Sequence, residues 1–433
     1  MALDAQAQQL NDLISKSHPQ VLGMLSRKGK AIYFPKLGVL AQSAEAQGKD
    51  INATIGIALE EDGSPLALPS IAKSIQLPKS LAFTYAPSPG RPDLRKLWKA
   101  MIGEKNPSLK GKPISQPVVC SALTHGLSMA AYLFCDEGDK VILPDLYWEN
   151  YDLVFSLAYG SEFTTFPTFT SEGGFNVAGL RAKLAEGGKG KKVVALNFPN
   201  NPTGYTPTVE EAKAIVKVLR DAAEEGNRIV AILDDAYFGL VFEKGVYEES
   251  LFAPLCDAHE NLLAVKIDGA TKEDYVWGFR VGFLTYGIKG ATPELYESLE
   301  AKTAGAIRGN VSNSSHPAQS LLLAAWSSPE YASEKKRAHD LLQARFAAVK
   351  EALLRHPEWK EYFVALPFNS GYFMCIRPLR VDAEVLRKAL LSDFSTGTIN
   401  FGGILRLAFS ATPTEKIPLL FEKVYQACQK LAG

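Results

Sequence analysis

Between residues 190 and 290 the chain alternates between two hydrophobic patterns, and that alternation restricts its fold more than any other feature. Val193–Phe198 is an apolar run of strand length. Thr208 follows, with Glu211 three positions on, the spacing of a capping box that opens a helix. Ala212, Ile215, Val216, Leu219, Ala222 and Ala223 give that helix one apolar face, and Gly226 is placed to stop it. Ile229–Leu233 and Leu262–Ile267 are two further strands, and Lys140–Leu143 an earlier one behind a helix over Leu127–Cys135. Strands that alternate with helices build βαβ units, hence a mainly parallel sheet covered on both faces. Ligands of such sheets bind beyond the carboxyl ends of the strands.

Past residue 330 the texture changes. Ala332–Arg355 reads as one long helix stopped near Pro357, followed by a strand around Tyr372–Ile376, a helix from Asp382 and a last helix after Thr414. This is an α+β pattern and a second, smaller domain. The expected division is 1–60 for an N-terminal arm that joins the small domain in part, 61–328 for the large domain and 329–433 for the C-terminal small domain.

Several function classes are disfavoured. Lys+Arg and Asp+Glu both number 47, so no global charge draws the chain to nucleic acid or to an anionic membrane. The five cysteines are scattered, without a Cys-x-x-Cys pair, and the six histidines have no ligand spacing, so no metal is expected. The first twenty residues are polar, and no apolar run approaches the ~18 residues of a membrane span. A soluble, cytoplasmic protein is expected. No Gly-x-Gly-x-x-Gly follows a strand, which argues against a nicotinamide dehydrogenase.

Three reactive groups fall beyond the strand ends. Asn201 lies in the turn Asn200-Asn201-Pro202-Thr203-Gly204, Asp234 ends the next strand with Tyr237 three residues later, and Lys272 follows the third, eight residues before Arg280. Singly, each has an ordinary explanation: a turn sequence, a helix cap, a solvated lysine. Together with Asp234-Asp235-Ala236-Tyr237, Thr271-Lys272 and Gly278-Phe279-Arg280-Val281-Gly282, they make the chain resemble class I aminotransferases of fold type I, from Asn52 to the region of Arg406. Ile51-Asn52-Ala53-Thr54-Ile55-Gly56 and Glu61-Asp62-Gly63-Ser64-Pro65 resemble the opening of the aspartate and aromatic amino-acid branch.

The resemblance implies a large domain with a mainly parallel seven-stranded sheet, pyridoxal 5'-phosphate as cofactor, and exchange of an amino group between an L-amino acid (aspartate, glutamate or aromatic) and a 2-oxo acid such as 2-oxoglutarate. It implies that Lys272 carries the cofactor as a Schiff base and shuttles the α-proton, as a desolvated lysine can. Asp234 would hold the pyridine nitrogen protonated, while Asn201 and Tyr237 donate to the phenolate oxygen. Arg280, the amides of Leu123 and Thr124, the Thr124 hydroxyl and Thr271 would take the phosphate. Trp148 would stack on the ring, and Tyr85 would reach the phosphate of the neighbouring subunit in a homodimer with shared active sites. Arg406 would grip the substrate α-carboxylate, with Gly56, Asn201 and Trp148 beside it. The segment Ile307-Arg308-Gly309-Asn310-Val311-Ser312-Asn313 resembles one that sends an arginine, here Arg308, into the partner's pocket to meet a side-chain carboxylate.

Two departures stand out. Gly269 occupies a position where many relatives have a phosphate-binding serine, and His125 stands where a small residue is common. Asp235, next to Asp234, is the control for it, and its neutral substitution is expected to slow removal of the α-proton far less than that of Asp234. Two other readings use the same cofactor: a β-lyase or β-decarboxylase sharing Lys272, Asp234 and Arg406, and a non-catalytic regulator. The regulator is disfavoured because no DNA-binding module or basic segment extends the chain.

Overall fold

The computed structural model describes residues 3–34 and 38–432. A seven-stranded sheet forms its centre: β1 (Val118–Cys120), β2 (Lys140–Pro144), β3 (Glu162–Phe166), β4 (Lys191–Asn197), β5 (Arg228–Asp234), β6 (Leu262–Asp268) and β7 (Gly282–Gly287). Their order across the sheet is β1-β7-β6-β5-β4-β2-β3, and β7 alone runs antiparallel to its neighbours. The middle strands β4, β5 and β6 are buried almost throughout, which is why they read as unbroken apolar runs rather than alternating ones. This is the α/β architecture expected of the chain.

Four helices bear on the site: α1 (Pro92–Lys105), α2 (Ala122–Phe134), α3 (Val209–Glu224) and α4 (Pro293–Asn310). The capping box forms at the start of α3, where Thr208 accepts from the Glu211 amide and the Glu211 side chain accepts from the Thr208 amide. Val218 rather than Val216 completes its buried face, a shift of half a turn that the apolar spacing permitted. Helix α2 begins five residues before the expected Leu127. Its first turn carries Thr124, His125 and Gly126 and so lacks apolar periodicity. It nonetheless packs tightly, and a Cβ on Gly126 would stand 2.9 Å from Ile267.

A second, antiparallel sheet contains β8 (Phe363–Ala365), β9 (Phe373–Pro378), β10 (Ile399–Phe401) and β11 (Ile404–Ala408) in the order β10-β11-β9-β8. Leu405, Leu407, Met374 and Ile376 from it share a core with Leu420, Phe421 and Val424 of the C-terminal helix. The long helix α5 (Tyr331–Arg355) belongs to both units. Its Ala338 and Leu342 pack in the core of the large sheet, while Phe346, Val349 and Ala352 pack in the small one. Ile51–Asn52 pairs in parallel with Thr396–Gly397, fastening the early chain to the small unit. Arg27 and Lys28 bind Glu137 and the Ala158 carbonyl on the large unit, each at 2.6 Å. Among the described residues, no helix is long and apolar enough to cross a membrane.

Candidate active site

A cavity of about 250 Å³ opens beyond the carboxyl ends of β4, β5 and β6. Thr54, Gly56, Leu123, Thr124, Trp148, Asn201, Asp234, Tyr237, Thr271, Lys272, Arg280 and Arg406 all line it. The register places Asn197, Asp234 and Ile267 side by side at the sheet edge. Asn197 donates to the Asp234 carbonyl at 2.7 Å and accepts from the Asn201 amide at 2.8 Å, so one side chain ties two strand-end turns together. Gly204, at φ +71°, lies so close to the Phe373 carbonyl that a Cβ would stand 1.9 Å away, which fixes the Asn201 turn against β9.

Asp234 is buried. Burial pushes its carboxyl above the usual range, opposed by a 2.6 Å hydrogen bond from Tyr151, the charge of Lys272 and the Ala236 amide. Tyr151 was not among the residues marked from sequence. Its signal was its place three positions after Trp148, and the two rings meet edge to face at 5.9 Å. The Lys272 ammonium lies 5.1 Å from the centre of the Tyr237 ring. Burial, reinforced by Arg280 and opposed by Asp234, brings the Lys272 pKa down from 10.5 to about 8. An amine in that state is a far better nucleophile and base near neutrality than a solvated lysine.

The glycine departure has a steric reason. A Cβ at Gly269 would meet Gly282 Cα and the Val281 carbonyl at 2.8 Å, so no serine fits there. Gly282 in turn abuts Ala122, which is held at φ +69° in the turn that starts α2. This close stacking of backbones brings Leu123, Thr124, Thr271 and Arg280 into the lining of one cavity. The Thr271 hydroxyl there is buried without a hydrogen-bond partner among the described residues. His125 accepts from the Ser121 amide at 3.0 Å and is not among the residues that line the cavity.

Arg406, in the middle of β11, is buried and stacked over Phe373 at 4.2 Å. Its guanidinium donates to Asn201 at 3.1 Å and to the Thr54 carbonyl at 3.3 Å, and its Nε has no partner among the described residues. Burial pulls its pKa down, while Tyr237, Cys375 and the Glu149 carboxylate pull the other way. A cation so enclosed and so incompletely paired is suited to an anionic ligand.

Two sequence-marked residues lie outside this cavity. Tyr85 is 88% exposed, and Arg308, in the last turn of α4, is exposed and donates to Ser312 at 2.8 Å. Their loops are joined, because Ser88 donates to the Ser312 carbonyl at 3.0 Å and Thr84 bonds His316 at 3.0 Å. Phe83 and Ile75, both strongly exposed, precede Tyr85 in the chain.

Asp235 does not line the cavity. Strand alternation turns it away from Asp234, where it is buried, ion-paired with buried Lys266 and accepts from Ser250 at 2.6 Å. Lys266 also meets Asp268 at 3.3 Å. Asp235→Ala leaves the lysine under-compensated, so a loss of about 3–5 kcal/mol in unfolding free energy is expected. Urea titration of the variant checks this, and an unchanged midpoint would show that Asp268 alone suffices.

The architecture and the strand-end lysine place this protein among the fold type I aminotransferases, whose solved structures it matches. An aminotransferase from Anaerococcus prevotii DSM 20548 superposes with a TM-score of 0.82 at 26% identity, covering 93% of this chain and 98% of that one. The Thermus thermophilus aspartate aminotransferase with maleate gives 0.70 at 20% identity, covering 94% and 98%, a likeness of fold alone. The family model for class I and II aminotransferases matches residues 49–424, and the chain belongs to that family. An aspartate aminotransferase of Bacillus subtilis is 30% identical over 202 residues, 46% of this chain and 47% of the relative. The match thus spans about half of that relative's length. A probable aspartate/prephenate aminotransferase of Aquifex aeolicus is 28% identical over 403 residues, 90% of this chain and 94% of its own.

Proposed function

We propose that this protein is a pyridoxal-phosphate-dependent aminotransferase acting on an L-amino acid (aspartate, glutamate or aromatic) and a 2-oxo acid such as 2-oxoglutarate. The observation that carries this reading is the meeting of Lys272, Asp234, Arg280 and Arg406 in one cavity. The residues fit the cofactor. The partnerless Thr271 hydroxyl, the first-turn amides of α2 and Arg280 together suit a phosphate, and buried Asp234 suits a protonated ring nitrogen. When bound, pyridoxal phosphate supplies the electron sink that acidifies the substrate Cα–H bond.

The chain's own groups do the rest. Arg406 pairs with the α-carboxylate and fixes the orientation of Cα. The Lys272 amine, poised at about 8, takes the α-proton and returns it elsewhere. Tyr151 holds the Asp234 carboxylate in place through its 2.6 Å hydrogen bond. Trp148, which lines the cavity and meets Tyr151 edge to face, would cover one side of the bound ligand. The β-lyase or β-decarboxylase reading uses the same groups, and product analysis separates them. Transamination conserves the amino group on the acceptor, whereas a lyase releases ammonia and pyruvate.

The joined, exposed loops of Tyr85 and Arg308 support a homodimer in which each enters the partner's site. Arg308 would then meet a side-chain carboxylate, a charged hydrogen bond worth about 1.5–3 kcal/mol, or ten- to a hundredfold in specificity. Arg308→Ala is therefore expected to lower kcat/KM for glutamate by that factor and to spare phenylalanine. Equal losses for both donors, or none, would reduce Arg308 to a structural residue.

A further inference from the structure

Lys272 sits in a one-turn helix, Ala270–Glu273, too short to hold its own position. The anchors of this turn lie on its far side. Glu273 and Asp274, the next two residues, are buried. Glu273 accepts from Lys105 at 2.9 and 3.1 Å and from Lys335 at 2.6 Å. Asp274 accepts from Tyr331 at 2.5 Å and pairs with Lys335 at 3.4 Å. Lys105 is the last residue of α1, and Lys335 and Tyr331 stand in the first turns of α5. The Lys105 ammonium also rests 4.0 Å above the Trp98 ring, whose indole donates to Asp268 at 3.0 Å. Burial pushes the Glu273 carboxyl up, but the two lysines outweigh it and hold it well below the usual carboxylate range, so it is charged near neutrality. On the near side, the Tyr372 hydroxyl donates to the Lys272 carbonyl at 2.9 Å.

We propose that Glu273, gripped by Lys105 and Lys335, is a positioning residue that fixes the Lys272 turn and fastens it to α5, the helix shared by both cores. Two half-buried lysines on one buried carboxylate leave that carboxylate little freedom, and it is joined to Lys272 by a single peptide bond. The clamp gives the lysine's turn a fixed reference on α1 and makes it respond to the stance of α5, which also carries Phe346, Val349 and Ala352 of the small core. Displacing a reacting amine by an ångström costs on the order of a hundredfold in rate. The effect belongs to kcat, because Arg406, which would bind the substrate carboxylate, stands on β11 and is not part of the clamp.

This inference rests on the proposed aminotransferase reading, and the experiment separates the two. Wild type, Glu273→Gln, Lys335→Gln and Lys335→Arg are compared. In the cofactor-free chain, Lys272 is pulse-labelled with an amine-reactive reagent across pH, and its peptide is quantified by mass spectrometry. Asp234 and Arg280, the charged groups facing Lys272, and the Tyr237 ring are the same in all four proteins. Releasing the turn should expose the Lys272 amine to water in both Gln variants and raise its labelling midpoint from about 8 toward that of an ordinary lysine, and Lys335→Arg should restore it. With pyridoxal phosphate, kcat should fall ten- to a hundredfold in both Gln variants, with KM within twofold and recovery in Lys335→Arg. If Glu273→Gln does not fold, Lys335→Gln, whose side chain is 27% exposed, decides alone. Wild-type midpoints and kcat in the Gln variants, with only the melting temperature lowered, would overturn the clamp. Failure of the wild type to transaminate would instead defeat the reading of function, while the labelling midpoints still judge the clamp.

Discussion

Lys272→Ala is expected to abolish transamination, with turnover down at least ~10³-fold, because on the proposed reading the variant would lack both the attachment point and the base. Borohydride treatment with pyridoxal phosphate should label the wild-type chain at Lys272 and leave the variant unlabelled there. The variant should still retain the cofactor non-covalently, since Thr271, Arg280 and the α2 amides remain. A variant that keeps a reducible label elsewhere in the cavity would falsify the assignment. Stability offers a second measure on the cofactor-free chain. The folded-state pKa of Lys272 is about 8, below the ordinary 10.5, so the folded chain releases this proton first as pH rises. Below about pH 8 both states hold the proton and the folded state carries the full cost of a buried charge. Lys272→Met should therefore be more stable than wild type at pH 7, with the advantage shrinking between about 8 and 10.5. Equal pH dependence in the two proteins would mean that the lysine is not desolvated.

The features that could be read from the sequence share a physical basis. Asn201, Asp234 and Lys272 each follow an apolar run of strand length, and a parallel sheet must align such ends along one edge. The α3 capping box is local chemistry within four residues and was equally readable. Contacts between distant segments were not. Nothing in periodicity tells that Lys266, amid the apolar residues of β6, pairs with Asp235 one strand away and Asp268 two residues on. Glu273 beside Lys272 reads as a surface carboxylate until α1 and α5 are seen to bring lysines to it. The start of α2 was missed because its first turn contributes amides rather than an apolar face. Tyr85 and Arg308 could be marked only by resemblance, since within one chain they touch nothing in the cavity.

Asp234→Ala is expected to leave the fold intact and to slow abstraction of the α-proton by about 10²–10⁴-fold, the range for loss of a group that holds a proton where the reaction needs it. The carboxylate would pair with the ring nitrogen, and that pairing matters only while negative charge builds on the substrate. The loss should therefore appear in the rate of the half-reaction with an amino acid and not in affinity for the acceptor. The structure adds a control, because Tyr151 donates 2.6 Å to the same carboxylate and carries no charge of its own. Tyr151→Phe removes one hydrogen bond but leaves the charge, so a loss of about tenfold or less is expected from it. Burial already presses the Asp234 carboxyl upward, opposed by Tyr151 and Lys272, so losing the hydroxyl should raise its pKa further and weaken activity most at the acid end. Stopped-flow rates across pH for both variants test the pair. If Asp234→Ala slows the half-reaction less than tenfold, or Tyr151→Phe matches it, the charge on Asp234 is not what the chemistry depends on.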